Sequence, residues 1–146
     1  MKTLLEAKQH LRDNFKDGTE CPCCGKYVKA YKRKLNSGIA RSLIIMYKLG
    51  AETTSIHVQS EFSKLKLRAT TMDYAYAEKW KLIKSDETNN GYWFLTERGR
   101  QFVLNQSYLP DHCLVYNGKV YKWSDNLINI QTALTVSFDY KKLMEI

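Results

Sequence analysis

Residues 70–104 constrain the fold more than any other stretch of the chain, because they carry five successive structural signals. Thr70 and Thr71 are helix-capping residue types ahead of MDYAYAEKW, a run without Gly or Pro. A short apolar step and the polar loop SDETNNG follow, and Asn90-Gly91 favours a tight two-residue turn. The aromatic run YWFL is the return strand, and Thr96 caps a last helix. We predict helix, strand, turn, strand and helix.

Apolar spacing indicates how the helix at 70–80 packs and what precedes it. Residues recur there at three- and four-residue spacing, which is helical, namely Met72, Ala75, Tyr76 and Lys79–Trp80. Upstream, Asn36 or Ser37 caps the strongly apolar helix GIARSLIIMYKL, which Gly50 ends. Between them, TTSIHV is read as a short strand or linker and EFSKL as a brief helix. The predicted order is therefore helix, short strand, helix, helix, hairpin.

This order and its residues resemble the winged-helix DNA-binding family. That family often shows a pattern like W-x-L-I … G-Y-W-x-L-T-x-x-G-x-x-F. The matching residues here are Trp80, Leu82, Ile83, Gly91, Tyr92, Trp93, Leu95, Thr96, Gly99 and Phe102. The resemblance implies an α+β fold with a three-helix core and a β-hairpin wing.

The resemblance also implies which residues contact DNA. The third helix of a winged helix usually enters the major groove, while the wing contacts the backbone. The residues implied to face bases are Thr70, Thr71, Asp73, Tyr74 and Ala77–Glu78. Those implied to contact phosphates are Lys64, Lys66 and Arg68, and those implied to contact the sugar–phosphate backbone are Lys84 and the wing tip Asn89-Asn90. This chain departs from the usual chemistry, because its third helix has no arginine and Lys79 is its only lysine. The alternative is that the third helix contacts another protein.

Positive charge is concentrated upstream of the winged-helix-like part. The chain has a net charge of +8, and residues 26–48 hold seven basic residues and no acid. A concentrated basic surface attracts polyanions, nucleic acid above all. We call the residues predicted to bind phosphate here the basic arm: Lys29, Lys32, Arg33, Lys34 and Arg41. Tyr27 and Tyr31 interleave with these cations and could stack on bases or face the core.

The cysteines predict a metal site. Cys21 and Cys24 in CPCCGK have C-x-x-C spacing followed by glycine, which looks like a zinc knuckle. No second C-x-x-C exists, so the other ligands are predicted to be Cys113 and either His112 or Cys23, with His57 and His10 as weaker choices. The preferred zinc set is Cys21, Cys24, Cys113 and His112. The alternatives are reduced cysteines that pack as small apolar groups, or a redox pair.

The two ends of the chain carry weaker signals. Residues 3–15 are read as an amphipathic helix that either covers the core or meets a second copy in a homodimer. LVYNGKVY is a strong hairpin signal with Asn117-Gly118 as its turn, and SFDYKKLMEI is a last helix. We predict three successive parts: 1–35 (helix, knuckle and basic residues), 36–105 (winged-helix core) and 106–146 (hairpin and helix packed on the same domain).

Function classes can be narrowed by what the sequence lacks. It has no Gly-rich phosphate loop, no H-E-x-x-H and no Ser–His–acid pattern, so we expect no enzyme. No apolar run approaches the length of a membrane span and no signal peptide is visible, so we expect a cytoplasmic protein. The segment CPCCGKYVKAYKRKLNSGIARSLI also resembles small proteins encoded by bacteriophages and prophages.

These observations combine into one preferred function and one rival. The preferred function is that of a small phage-type DNA-binding protein, a transcriptional regulator that uses the basic arm and the winged helix, with zinc as its cofactor. The rival is an adaptor or inhibitor that docks on a host protein through the same surfaces.

Overall fold

Short helices alternate with short strands along the chain. The computed structural model describes residues 3–66, 69–116, 119–135 and 138–145, and it describes no side chains at 69–73 and 145. Its helices are α1 (Leu4–Asn14), α2 (Ser37–Lys48), α3 (Val58–Lys64), a 3₁₀ helix (Ala69–Trp80), α4 (Glu97–Val103), α5 (Ile130–Leu134) and α6 (Tyr140–Glu145). Its strands are β1 (Thr19–Glu20), β2 (Tyr27–Val28), β3 (Tyr31–Lys34), β4 (Ile56–His57), β5 (Ile83–Ser85), β6 (Tyr92–Leu95), β7 (Leu109–Pro110), β8 (His112–Tyr116), β9 (Lys119–Trp123) and β10 (Leu127–Ile128). The mixed α+β class is confirmed. Within these ranges no helix is long and apolar enough to cross a membrane.

Side-chain caps begin α2 and α4 where the sequence predicts them. Asn36 caps α2, because its side-chain oxygen accepts a hydrogen bond from the Ile39 N–H at 2.9 Å. Thr96 caps α4 in the same way, through the Gly99 N–H at 3.1 Å. Gly50 lies just beyond α2 with φ at +79°, which a glycine adopts without strain. Both predicted helix starts and the predicted end of α2 are confirmed.

The strands form small sheets instead of one large one. The described strands make two pairs, β1 with β2 and β7 with β10, and two three-stranded sheets ordered β3-β8-β9 and β4-β6-β5. β8 and β9 pair antiparallel, so the predicted C-terminal hairpin is confirmed, while its turn at 117–118 lies outside the described residues. The predicted last helix is α6.

The chain divides into two compact units that are interleaved in sequence. The first unit takes its described residues from 1–33 and 112–123, and the second from 34–111 and 124–146. The sequence analysis predicts three successive parts, in which the C-terminal hairpin belongs to the same part as α6. The difference has a physical cause, because backbone pairing of β3 with β8 joins segments that are far apart in sequence.

The core of the second unit is built around α2. Ile39, Leu43 and Ile44 on this helix are fully or almost fully buried, and so are Trp80 and Phe102. Burying such large apolar side chains is the main favourable term in folding. The core therefore fixes the positions of the 3₁₀ helix and α4 within this unit.

The helix predicted at 70–80 packs differently from the prediction. Its buried described residues are Tyr74, Ala77 and Trp80, at a spacing of three, whereas Ala75 and Tyr76 are exposed. A 3₁₀ helix has three residues per turn, so residues at that spacing share one face. The prediction that Tyr74 and Ala77 face DNA bases is therefore wrong, because both lie on the buried face of this helix.

The loop between β5 and β6 is broader than the predicted two-residue turn. Six residues, 86–91, separate the strands, and the loop is closed by the Asp86 N–H, which donates to the Tyr92 carbonyl at 2.9 Å. The Asp86 carboxylate accepts hydrogen bonds from Thr88 and Ser55, and these bonds hold its pKa well below the ordinary value. Of the Asn90-Gly91 pair only Gly91 has positive φ, so the tight turn was wrong. Side-chain hydrogen bonds to Asp86 stabilise the longer loop instead.

Candidate functional site

The cysteine knuckle is the turn that joins β1 to β2 in the first unit. The Cys21 N–H donates to the Lys26 carbonyl at 2.8 Å, and the Gly25 N–H donates to the Cys21 carbonyl at 2.8 Å. Gly25 has φ at +74° and completes this tight reversal. The chain therefore folds back at the position that the C-x-x-C spacing predicts.

The knuckle also points backbone dipoles at sulfur. Hydrogen bonds from the backbone N–H of Cys24 and of Cys23 lower the pKa of the Cys21 thiol. A stabilised thiolate is the form that binds a metal. Cys21 is half-buried, and Cys23 and Cys24 are exposed. These residues fit half of a tetrahedral zinc site.

The other predicted ligands lie on β8. Burial alternates along this strand, with Cys113 and Val115 buried and His112 half-buried. Neighbouring residues of a strand point to opposite faces, so Cys113 and His112 face away from each other. Within the described ranges, no three His, Cys, Asp or Glu side chains come together in a group that could hold a metal. The four-residue zinc set stays a prediction.

The basic arm is only partly on one element. Lys32, Arg33 and Lys34 lie on β3, which is an edge strand of its sheet. The Tyr31 ring on the same strand is half exposed, with the Lys29 Nζ 6.0 Å and the Arg33 guanidinium 5.6 Å from its centroid. Of the two alternatives left open for Tyr31, exposure therefore favours a surface role.

Arg41 lies on a different element from the other residues of the basic arm. It is part of α2, where its guanidinium packs 4.8 Å from the Phe138 ring centroid. Its Nε is buried with no hydrogen-bond partner among the described residues. The prediction that Arg41 contributes to the same phosphate-binding surface is therefore not supported by its packing.

Tyr74 was predicted to face DNA bases, and the structure corrects this. It is only 6% exposed, and its ring meets Phe62 and Trp93 edge-on at 6.0 Å each. Burial also raises the pKa of its hydroxyl. A ring fixed in the core cannot contact a base. The side chains of Thr70 and Thr71, and all of Arg68, lie outside the described residues.

The remaining predicted contacts are surface residues of the second unit. Lys64 ends α3 and pairs with Glu61 at 3.3 Å, and exposed Lys66 follows it. Lys84 lies on β5 with its Nζ 5.5 Å from the Phe94 ring, and Asn90 is exposed in the loop after this strand. All four are accessible to a ligand.

A cleft in the first unit combines residues that no sequence motif connects. It has a volume of about 310 Å³ and lies beside the start of β3. Its lining residues are Lys16, Lys29, Ala30, Tyr31, Lys32, Leu114 and Tyr121. Sequence analysis missed Lys16, Leu114 and Tyr121, because only tertiary packing brings them beside the basic arm. Comparison with family models, curated proteins and solved structures found no match to the chain.

Proposed function

We propose that this protein binds DNA as a small transcriptional regulator, using the β3 residues of the basic arm for affinity and a winged helix for docking. The observation that carries the proposal is the cationic edge strand β3, which holds Lys32, Arg33 and Lys34 in succession after the exposed Tyr31. Phosphate contacts from such cations supply most of the affinity of sequence-tolerant DNA binding.

The topology of the second unit supports the winged-helix part of the proposal. α2, β4, α3 and the 3₁₀ helix precede β5 and β6, and β6 lies between the other two strands. The order helix, short strand, helix, helix and hairpin is the one that the sequence resemblance implies. In this proposal, Lys64, Lys66, Lys84 and Asn90 contact the DNA backbone.

Neutralising three cations of β3 tests the proposal. We expect the combined change Lys32→Gln, Arg33→Gln and Lys34→Gln to flatten the salt dependence of duplex binding by about 3 units of d log K/d log[salt], because each lost phosphate contact removes about 0.9. The measurement is fluorescence anisotropy of a labelled random duplex, titrated at several salt concentrations between about 50 and 200 mM.

A charge-matched variant makes the measurement specific. Lys8, Lys119 and Lys142 are exposed lysines outside the basic arm, and their combined change to glutamine removes the same charge. We expect this control to keep the wild-type slope. An equal slope in the two triple variants would remove β3 from the DNA-binding site.

One observation favours the rival function, an adaptor that docks on a host protein. On the 3₁₀ helix, the exposed residues of the described part include Tyr76 and Glu78, and Lys79 is its one cation. An aromatic ring beside a carboxylate suits a protein partner better than a phosphate backbone. The rival predicts no duplex binding at low salt in the titration above.

We further propose that the protein binds zinc through Cys21 and Cys24. The support is the tight knuckle turn, closed by the Cys21 N–H to the Lys26 carbonyl and the Gly25 N–H to the Cys21 carbonyl, together with the lowered pKa of the Cys21 thiol. Zinc would supply a structural cross-link there, with Cys113 and His112 as the predicted remaining ligands. The preference of thiolates for zinc makes this the expected metal.

Three serine substitutions test the zinc site. We expect Cys21→Ser and Cys24→Ser each to lose bound zinc, measured by elemental analysis of the purified protein, and to lower the melting temperature. Cys23→Ser changes the same atom within the same turn, and we expect it to keep zinc, because the preferred set takes His112 in place of Cys23. Zinc loss in Cys23→Ser would place Cys23 in the ligand set instead of His112. Wild-type protein that holds no metal, or zinc retained in Cys21→Ser and Cys24→Ser, would rule out the proposed site.

A further inference from the structure

The cleft beside β3 is lined by lysines and by no acidic residue. Lys16, Lys29 and Lys32 line it, and no lining residue is a carboxylate. Among the described residues none of these three lysines forms an ion pair. Ammonium groups that converge on one cleft repel one another, and a bound anion relieves this repulsion. The cleft therefore selects a negatively charged ligand.

Two tyrosines give the cleft a second, aromatic property. Tyr121 is 38% exposed, and its ring is held edge-on by Phe15 at a centroid distance of 5.1 Å. This contact orients the ring before any ligand arrives. Tyr31 adds a half-exposed ring between the Lys29 and Arg33 cations. Aromatic rings that are fixed and accessible are the surfaces on which nucleobases stack.

The size of the cleft limits the ligand. About 310 Å³ is near the lower end of the range for ligand pockets, roughly 300–1,000 Å³. Buried Ala30 and the partly buried Leu114 provide an apolar floor. A base that is paired and stacked within a duplex cannot enter such a cleft, whereas an unpaired base can leave its neighbours at little cost.

We propose that this cleft binds one nucleotide of single-stranded nucleic acid, with its phosphate at Lys16, Lys29 and Lys32 and its base against Tyr121 and Tyr31. This inference rests on the proposed function and makes it more specific, since it adds a single-strand preference to nucleic-acid binding. Phosphate attraction and base stacking act together, as in other surfaces that bind single strands without sequence preference.

The test compares labelled oligothymidylate, oligouridylate and a duplex of equal length by fluorescence anisotropy at about 50 mM salt. We expect Tyr121→Ala to weaken single-strand binding about tenfold, since stacking on an aromatic ring contributes roughly 1–3 kcal/mol per base by alanine substitution. Tyr121→Phe should keep wild-type affinity, because the ring remains. Duplex affinity should change less than twofold in both variants. Comparison of the two oligonucleotides identifies whether DNA or RNA is preferred.

Two single lysine substitutions, one in the cleft and one outside it, give a second test that does not disturb the core. Lys16→Gln should reduce the salt slope of single-strand binding by about 0.7, while Lys8→Gln, an exposed lysine of α1 outside the cleft, should not. Single-strand affinity and slope that stay unchanged in both Tyr121→Ala and Lys16→Gln would overturn the inference. Duplex binding without single-strand binding would overturn it and leave the proposed function standing. Failure to bind any of the three probes would overturn both.

Discussion

Replacing Trp80 with alanine is expected to lower the free energy of unfolding by about 3–5 kcal/mol. Trp80 is only 1% exposed, and its indole Nε1–H donates a hydrogen bond to the Pro110 carbonyl at 2.8 Å. The substitution removes a large buried ring and leaves that carbonyl without its donor. Because the free energy of unfolding of a native domain is only about 5–15 kcal/mol, this one change removes a large part of it.

The measurement for Trp80→Ala is urea unfolding followed by circular dichroism. Trp123→Ala is the matched control, because it deletes the same side chain from β9, where Trp123 is 38% exposed. We expect the control to cost far less, since much of that ring remains in water in the folded state. Equal losses in the two variants would mean that Trp80 does not hold the core as its burial indicates.

Replacing Gly99 with alanine is expected to destabilise the fold by about 3 kcal/mol, because the cost of overpacking exceeds the gain in helix propensity. A Cβ at this position would lie 2.3 Å from the Leu82 carbonyl oxygen and 2.7 Å from the Leu95 Cδ1. Alanine within a helix is favoured over glycine by about 1 kcal/mol, so propensity alone predicts stabilisation. The backbone oxygen of Leu82 cannot rotate away as a flexible side chain can, and the clash therefore decides the sign.

A substitution at the neighbouring Arg98 is the control that distinguishes the packing clash from the effect of helix propensity. Arg98 is exposed on the same helix, and Arg98→Ala places alanine there without adding a Cβ. We expect its free energy of unfolding to stay within about 0.5 kcal/mol of wild type, as for most surface substitutions. A Gly99→Ala variant as stable as Arg98→Ala would show that α4 can move away from Leu82 and Leu95 at little cost.

Local chemistry was enough to predict many of the elements. Asn36 and Thr96 begin helices because their side-chain oxygens accept backbone N–H groups a few residues ahead, and this depends on neighbours in sequence alone. Gly25 and Gly50 occupy turns because they adopt positive φ without a Cβ clash. The α+β class and the C-terminal hairpin follow from such short-range signals.

The packing faces could not be predicted in the same way. The sequence predicted that Tyr74 faces DNA, but the structure buries it, because the helix has three residues per turn and Tyr74 shares a face with Ala77 and Trp80. Asn90-Gly91 carried the signal of a tight turn, but the Asp86 carboxylate stabilised a longer loop through hydrogen bonds from Ser55 and Thr88. Helix period and loop length depended here on contacts that propensity does not contain.

The candidate sites also combine features that depend on neighbouring residues in the sequence with features that depend on tertiary packing. The sequence by itself determined the knuckle and the cationic strand, because the chemistry of Cys21, Cys24 and the β3 cations depends on residues that are adjacent in the chain. Only the tertiary structure decided that Arg41 packs on Phe138 in the second unit, and that Lys16 and Tyr121 line one cleft with the start of β3. The physical reason is that strand pairing and burial join distant segments, and the free energy of those contacts is a property of the whole packed unit.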